Sequence, residues 1–63
     1  MTVLVYTREK CPPCATLKYW LGKKGIAYKE LDGADKPIVP TIVVGETVVT
    51  GLNFAVLNRL FGL

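Results

Sequence analysis

The two cysteines of the chain, Cys11 and Cys14, are separated only by Pro12 and Pro13. A disulfide between them would close a very short loop, so it would restrict the unfolded chain little and stabilise the fold little. The spacing instead suits two thiols that exchange electrons with a substrate disulfide, one attacking it and the other releasing the product. Rigid prolines between them would hold the sulfurs at a fixed separation. The motif therefore indicates a reversible two-electron redox couple.

Other uses of the two cysteines stay open at this point. A zinc site takes four ligands, whereas the chain has two cysteines and no histidine, so one copy alone cannot complete a tetrahedral site. Two copies that share four thiolates could hold zinc or an iron–sulfur cluster. Free cysteine is also often buried and inert, in which case the chain would be a redox-inert interaction module.

Composition and charge narrow the class of protein. A chain of 63 residues with 51% hydrophobic and 21% charged residues predicts one folded domain over residues 1–63, near the lower size limit. The net charge of +3 is modest and the basic residues are scattered, so we expect no nucleic-acid partner. No apolar run approaches the ~20 residues of a membrane span. No signal-peptide pattern opens the chain, so we expect a cytoplasmic protein.

The first half of the chain predicts a strand followed by a helix. Residues 2–7 are apolar and β-branched, which is typical of a buried strand. The two prolines suit the first turn of a helix, and Gly25 suits its end, so we predict a helix over 12–24. Cys11 then lies at the helix N-terminus, where the helix dipole favours the thiolate, and Cys14 lies about one turn further in.

The second half predicts four further elements after the first strand and helix. Residues 26–31 indicate a second strand, which makes a βαβ unit with parallel strands. Thr41–Val44 and Thr47–Thr50 are β-branched runs separated by Gly-Glu, which predicts a two-residue hairpin with a type II′ turn. A last helix is predicted after Asn53 as its N-cap. Its apolar face would consist of Phe54, Leu57, Leu60 and Phe61.

These motifs resemble those of the glutaredoxin and thioredoxin-like redoxin family. The shared features are "VLVYTREKCPPC" after the first strand, "VPT" before the third strand and "VVTGLN" before the last helix. The resemblance implies a minimal thioredoxin-like α/β fold, β-α-β-loop-β-β-α, with a four-stranded mixed sheet in the order 2-1-3-4. It also implies a thiol–disulfide oxidoreductase that reduces protein or low-molecular-weight disulfides, with Cys11 as the nucleophile and Cys14 as the resolving thiol.

The resemblance also implies residues that contact the substrate. Pro40 would follow a cis peptide bond and lie against the disulfide, and Val39 before it would offer backbone groups to a bound peptide or thiol. Arg8 stands where glutaredoxins commonly carry a lysine that contacts a carboxylate of glutathione. The other expected contacts are Pro12 and Pro13 between the cysteines, and Gly51, Leu52 and Asn53 before the last helix.

The electron donor stays open between two classes. Glutaredoxins hold glutathione with a Gly-Gly-x-Asp segment, whereas residues 50–53 read Thr-Gly-Leu-Asn and lack one glycine and the acid. That segment is more similar to redoxins that reduce ribonucleotide reductase and are recharged by thioredoxin reductase. We therefore expect either glutathione or a thioredoxin-reductase-type flavoenzyme as the donor, with no tightly bound cofactor and no metal.

One departure from the family is the length of the chain. Family members carry another helix between the second and third strands, whereas only residues 32–38 stand there. That segment reaches about 23 Å when extended, enough to pass one strand in a sheet with spacings of about 4.8 Å. One face of the sheet then has no helix, although the strands are apolar on both faces. We expect a second copy of the chain, or the loop itself, to cover that face.

Overall fold

The computed structural model describes residues 2–62 and contains one mixed four-stranded sheet with two helices. The elements are β1 Val3–Thr7, α1 Pro12–Lys23, β2 Lys29–Asp32, β3 Thr41–Val44, β4 Thr47–Thr50 and α2 Phe54–Phe61. The sheet order is β2-β1-β3-β4, with β1 parallel to β2 and antiparallel to β3. The predicted α/β fold is confirmed, including the connection from β2 to β3 without a helix.

The C-terminal end of α1 explains why β2 is shorter than predicted. Lys24 is the C-cap, Gly25 adopts a φ of +69°, and the Ile26 N–H donates to the Leu21 carbonyl at 3.0 Å. This closure is typical of a Schellman motif, in which the second residue after the cap bonds back to the helix. Ile26 therefore bonds back to the last turn of the helix and packs against the core instead of entering a strand. The strand predicted from residue 26 begins only at Lys29.

The hairpin and the second helix have the bounds that the sequence predicts. Gly45 has a φ of +62°, as the first position of a type II′ turn requires. The Asn53 side chain caps α2, because its Oδ1 accepts a hydrogen bond from the Val56 N–H at 3.3 Å. Neither helix within residues 2–62 is long and apolar enough to cross a membrane.

The hydrophobic core lies between the two helices and one face of the sheet. The Trp20 ring of α1 packs 5.4 Å from Phe54 and 6.4 Å from Phe61, so aromatic contacts join the two helices. Burial of each aliphatic core side chain contributes on the order of 1.5–3 kcal/mol. The buried core residues are Val3, Val5, Leu17, Leu21, Ile42, Val44, Val49 and Leu57.

The opposite face of the sheet has no helix over it. Leu4, Tyr6 and Val43 are half-buried there, whereas Val48 on the edge strand β4 is 60% exposed. The connection between β2 and β3 covers part of this face, since the Lys36 Nζ lies 4.4 Å from the centre of the Tyr6 ring. The loop therefore covers one end of the face, and a homodimer through the rest stays a prediction.

Candidate redox site

The two cysteines form a disulfide at the start of α1. Their Cα atoms are 5.2 Å apart, and the Sγ of Cys11 accepts a hydrogen bond from the Cys14 N–H at 3.2 Å. Cys11 is the N-cap of α1 and is half-exposed, whereas Cys14 is only 2% exposed. The predicted positions at the helix start and one turn further in are confirmed. An incoming sulfur can reach Cys11, and the core side of the helix shields Cys14.

The helix start and Lys10 place positive charge near the Cys11 sulfur, while Glu9 is an acidic residue that lines the groove beside the disulfide. Pro12 and Pro13 occupy the first two helical positions, and the first turn of α1 contains no acidic residue to offset the helix dipole. Lys10 comes directly before Cys11 and is exposed. Lys10 is also the one non-glycine residue within 2–62 that has a positive φ, 55°. Left-handed backbone costs a residue with a side chain about 1–2 kcal/mol, so the turn into the helix is strained.

An open groove runs beside the disulfide, and a second groove adjoins it. A groove of about 500 Å³ contains four of the predicted site residues, and a second groove of about 440 Å³ continues from it over the ends of β1 and β2. The first is lined by Arg8, Glu9, Lys10, Cys11, Pro12, Cys14, Ala15 and Lys18. The second shares Arg8, Glu9 and Lys18 with it, and adds Thr7, Glu30, Leu31 and Asp32.

A charged pair that the sequence analysis missed stands where the two grooves meet. The Lys18 Nζ lies 3.1 Å from the Glu30 Oε2, which also accepts a hydrogen bond from the Thr7 Oγ1 at 2.6 Å. The Thr7 hydroxyl, and secondly the Lys18 ammonium, lower the pKa of Glu30 below its ordinary value. Lys18 follows Cys14 by four residues, which places both on one helix face. That spacing was available from the sequence, whereas the contact of Thr7 with Glu30 depends on the pairing of β1 with β2.

The segments before β3 and after β4 meet at the same end of the sheet as the cysteine loop. The Val39–Pro40 peptide bond is cis, as predicted, and Pro40 is buried. Its carbonyl accepts a hydrogen bond from the Gly51 N–H at 2.8 Å. Strand register places these segments beside the end of β1, since Thr41 pairs with Tyr6 and Thr50. The expected substrate contacts of Val39, Pro40 and Gly51 stay predictions.

Two predicted substrate contacts have partners inside the protein. The guanidinium of Arg8 donates to backbone carbonyls in the turn over residues 33–36. The Asn53 side-chain oxygen is occupied by the cap of α2, while Leu52 before it is 38% exposed. Pro13, unlike Pro12, does not line the groove at the disulfide. The site thus combines an accessible sulfur with a groove whose charges are partly satisfied within the chain.

Within one copy, the described residues offer few ligands for a metal centre. The part of the chain that the structure describes contains no group of three or more cysteine, histidine or carboxylate side chains that could hold a metal ion. Cys11 and Cys14 could supply two ligands, and a tetrahedral site would need two more from a second copy.

Comparison with known proteins agrees with this arrangement. Solved structures of the thioredoxin-like protein BC3987 and of a point mutant of it match with TM-scores of 0.81 and 0.85. BC3987 is 30% identical over 94% of this chain and 99% of its own, and the mutant is 28% identical over 97% and 95%. A glutaredoxin from Brucella melitensis matches with a TM-score of 0.76 and 28% identity, over 98% of this chain and 82% of its own.

Sequence comparison identifies the family. No curated protein sequence matches the chain at a significant level. The family model for glutaredoxin matches residues 3–37, a segment that holds β1, the cysteine motif, α1 and β2. The match covers more than half of the chain and includes both candidate catalytic sulfurs. The chain therefore belongs to the glutaredoxin family.

Proposed function

We propose that the chain reduces disulfides through the Cys11–Cys14 couple, with protein or low-molecular-weight disulfides as substrates. Membership of the glutaredoxin family supports thiol–disulfide oxidoreductase chemistry in general. The observation that carries the assignment of roles is the difference in exposure at the start of α1, where Cys11 is accessible and Cys14 is 2% exposed. An accessible thiol at a helix N-terminus is the better nucleophile, because the dipole and free N–H groups favour its thiolate.

The reaction consists of two exchange steps that conserve sulfur and electrons. The Cys11 thiolate attacks one sulfur of the substrate disulfide, which forms a mixed disulfide and releases the first substrate thiolate. The Cys14 thiol then gives up its proton and attacks the Cys11 sulfur. The bond to the substrate breaks, the second substrate thiol leaves, and the Cys11–Cys14 disulfide forms. The substrate gains two electrons, and the protein ends in its oxidised form, with the Cys11–Cys14 disulfide that the structure contains.

We further propose a thioredoxin-reductase-type flavoenzyme, rather than glutathione, as the electron donor. Two groups that the family resemblance assigned to glutathione are engaged within the chain, since Arg8 donates to loop carbonyls and Asn53 caps α2. Asn53 also lacks the carboxylate that glutaredoxins carry at this point. A protein donor needs neither group, because it docks over a larger surface. The cytoplasm is the proposed compartment for such a cycle, since thiols are kept reduced there.

Turnover assays with the two donors test both parts of the proposal. The parent chain should reduce insulin disulfides when thioredoxin reductase and NADPH are supplied, and more slowly with glutathione and glutathione reductase. Cys11→Ser should remove all activity, while Cys14→Ser should accumulate a mixed disulfide on Cys11 that mass spectrometry detects. Inactivity with both donors would overturn the proposed function, and faster turnover with glutathione would overturn the choice of donor.

A further inference from the structure

The connection between β2 and β3 has no helix to order it, and one arginine makes contacts throughout its first turn. The Arg8 Nε donates to the Gly33 carbonyl at 3.0 Å, and the Arg8 Nη2 donates to the Ala34 carbonyl at 3.3 Å and to the Lys36 carbonyl. The turn itself closes through the Lys36 N–H, which donates to the Gly33 carbonyl at 2.9 Å. Three carbonyl oxygens from one turn thus converge on a single cation.

We propose that Arg8 is a positioning residue: its guanidinium holds the 33–36 turn and thereby fixes Val39, which precedes Pro40, relative to Cys11. The role rests on the proposed function, because it concerns Val39, which is an expected contact of the substrate disulfide. It differs from the contact with a substrate carboxylate that the family resemblance implies for this position. In this chain the arginine does part of the ordering that a helix does in longer family members.

Close packing at Gly33 couples the position of the turn to that of Val39. Gly33 is buried, and its N–H donates to the Thr7 carbonyl at 2.8 Å. A Cβ on Gly33 would lie 2.8 Å from the Val39 Cγ1 and 3.2 Å from the backbone N and O of Thr7. The turn therefore fills the space between Thr7, which adjoins Arg8, and Val39, which adjoins the cis proline. Displacement of the turn would leave Val39 without this support.

The geometry requires a guanidinium rather than any positive charge. Nε and Nη2 lie on one edge of a planar group and donate in fixed directions, so they can serve several carbonyls of one turn at once. A lysine ammonium carries the same charge on a flexible stem and cannot reproduce this fork. A role in binding a substrate carboxylate would tolerate lysine, because glutaredoxins commonly carry lysine at this position. Arg8→Lys therefore separates the two roles without changing the net charge.

The test compares the parent, Arg8→Lys and the matched control Arg59→Lys, which alters the other arginine of the chain on the exposed side of α2. Amide hydrogen exchange of the Gly33 and Lys36 N–H groups reports on the turn without any turnover. Steady-state kinetics with two synthetic peptide disulfides, one neutral and one rich in aspartate, reports on substrate docking. Alkylation of Cys11 in the reduced protein reports on the nucleophile.

Arg8→Lys should speed exchange of both amides by about tenfold, because hydrogen bonds to a charged donor are lost. It should raise KM about threefold or more for both peptides alike, with kcat and Cys11 alkylation unchanged, while Arg59→Lys behaves as the parent. Parent-like exchange, a KM increase confined to the acidic peptide, or faster exchange with unchanged KM would each overturn the role. If the parent reduces neither peptide, the proposed function fails, whereas exchange still decides whether Arg8 holds the turn.

Discussion

Lys18 in α1 and Glu30 in β2 form an ion pair, with 3.1 Å between Nζ and Oε2, that joins the helix of the cysteine motif to an edge strand of the sheet. The Thr7 hydroxyl, at 2.6 Å, completes the group from β1. Three elements thus meet at one carboxylate, beside the groove that leads to the disulfide. The pair is more than a third exposed, so solvent screens it and its contribution to stability is small.

The charge of Glu30 should make a small pH-dependent contribution to stability. Its folded-state pKa lies below the ordinary value, so the carboxylate stabilises the fold above the unfolded-state pKa, and this is lost as the pH falls through the folded-state pKa. Glu30→Gln should therefore be less stable than the parent at pH 7, and the difference should shrink as the pH falls below about 4. Urea unfolding at pH 7, 5 and 3 measures this, and a difference that grows on acidification would contradict it.

The Thr7 hydroxyl should be the main cause of the lowered pKa of Glu30. Thr7→Val removes this donor with little change in volume, so the pKa of Glu30 should rise toward its ordinary value. Lys18→Gln should raise the same pKa by a smaller amount. Titration of the Glu30 carboxyl by NMR in the two variants measures the order of the two effects, and a larger rise in Lys18→Gln would reverse the assignment.

Two glycine substitutions should change stability in opposite directions. Gly33→Ala forces a Cβ against Val39 and the Thr7 backbone, so we expect a loss of about 1–3 kcal/mol. Gly22→Ala lies within α1, and apart from its own stretch of helix no atom lies within 4 Å of the new Cβ, so we expect a gain of about 0.5–1 kcal/mol. Chemical denaturation of both variants is the measurement. A tolerated alanine at Gly33 would show that the 33–36 turn can move.

The reduced protein should react with alkylating agents first at Cys11. Cys11 is half-exposed at the helix start, whereas Cys14 is 2% exposed and faces the core. Iodoacetamide at mildly acidic pH, followed by peptide mass spectrometry, should locate the first label on Cys11. Labelling in 4 M urea serves as the control, because unfolding should remove the difference between the two thiols. Equal labelling of the folded protein would argue against the assigned roles.

Asn53 should accept an acid without loss of the helix cap. Asn53→Ala removes the side-chain acceptor for the Val56 N–H and should cost about 0.5–2 kcal/mol. Asn53→Asp keeps an acceptor and adds a negative charge at the N-terminus of α2, which the dipole favours. It also restores the acid of the glutaredoxin segment, so turnover with glutathione should increase relative to the parent. An unchanged rate with glutathione would mean that the missing acid does not limit this donor.

The sequence predicts well wherever local rules decide the conformation. The cap at Asn53, the prolines of the first turn of α1 and the Gly45 turn each follow from one residue type at one position, and the structure contains all three. The start of β2 was wrong because Ile26 has the apolar character of a strand residue, yet its N–H completes the end of α1. The hydrophobic pattern does not distinguish an isoleucine that begins a strand from one that closes the end of a helix.

The site contacts that the sequence did not predict are contacts between residues far apart in the chain. From the sequence alone, Arg8 is expected to be a solvated or substrate-binding charge. The carbonyls that it binds in the structure lie 25 or more residues further along the chain. The contact of Thr7 with Glu30 likewise exists only after β1 and β2 pair in register. Every residue has a backbone carbonyl, so residue types do not indicate which carbonyls a side chain will bind. Such a contact can be recognised only when the fold is known.

The central place of β1 in the sheet also determines the order in which the molecule can assemble. Leu4, near the start of the chain, pairs with Lys29 on one side and Val43 on the other. During synthesis β1 can therefore pair with β2 first, whereas its other edge stays unpaired until β3 has been synthesised, and the entropy of closing these loops slows the pairing. The cysteine motif, by contrast, lies within one helix turn. Its two sulfurs can become neighbours early, whereas the Val39–Pro40 segment and Gly51 reach the same end of the sheet only after β3 and β4 have formed.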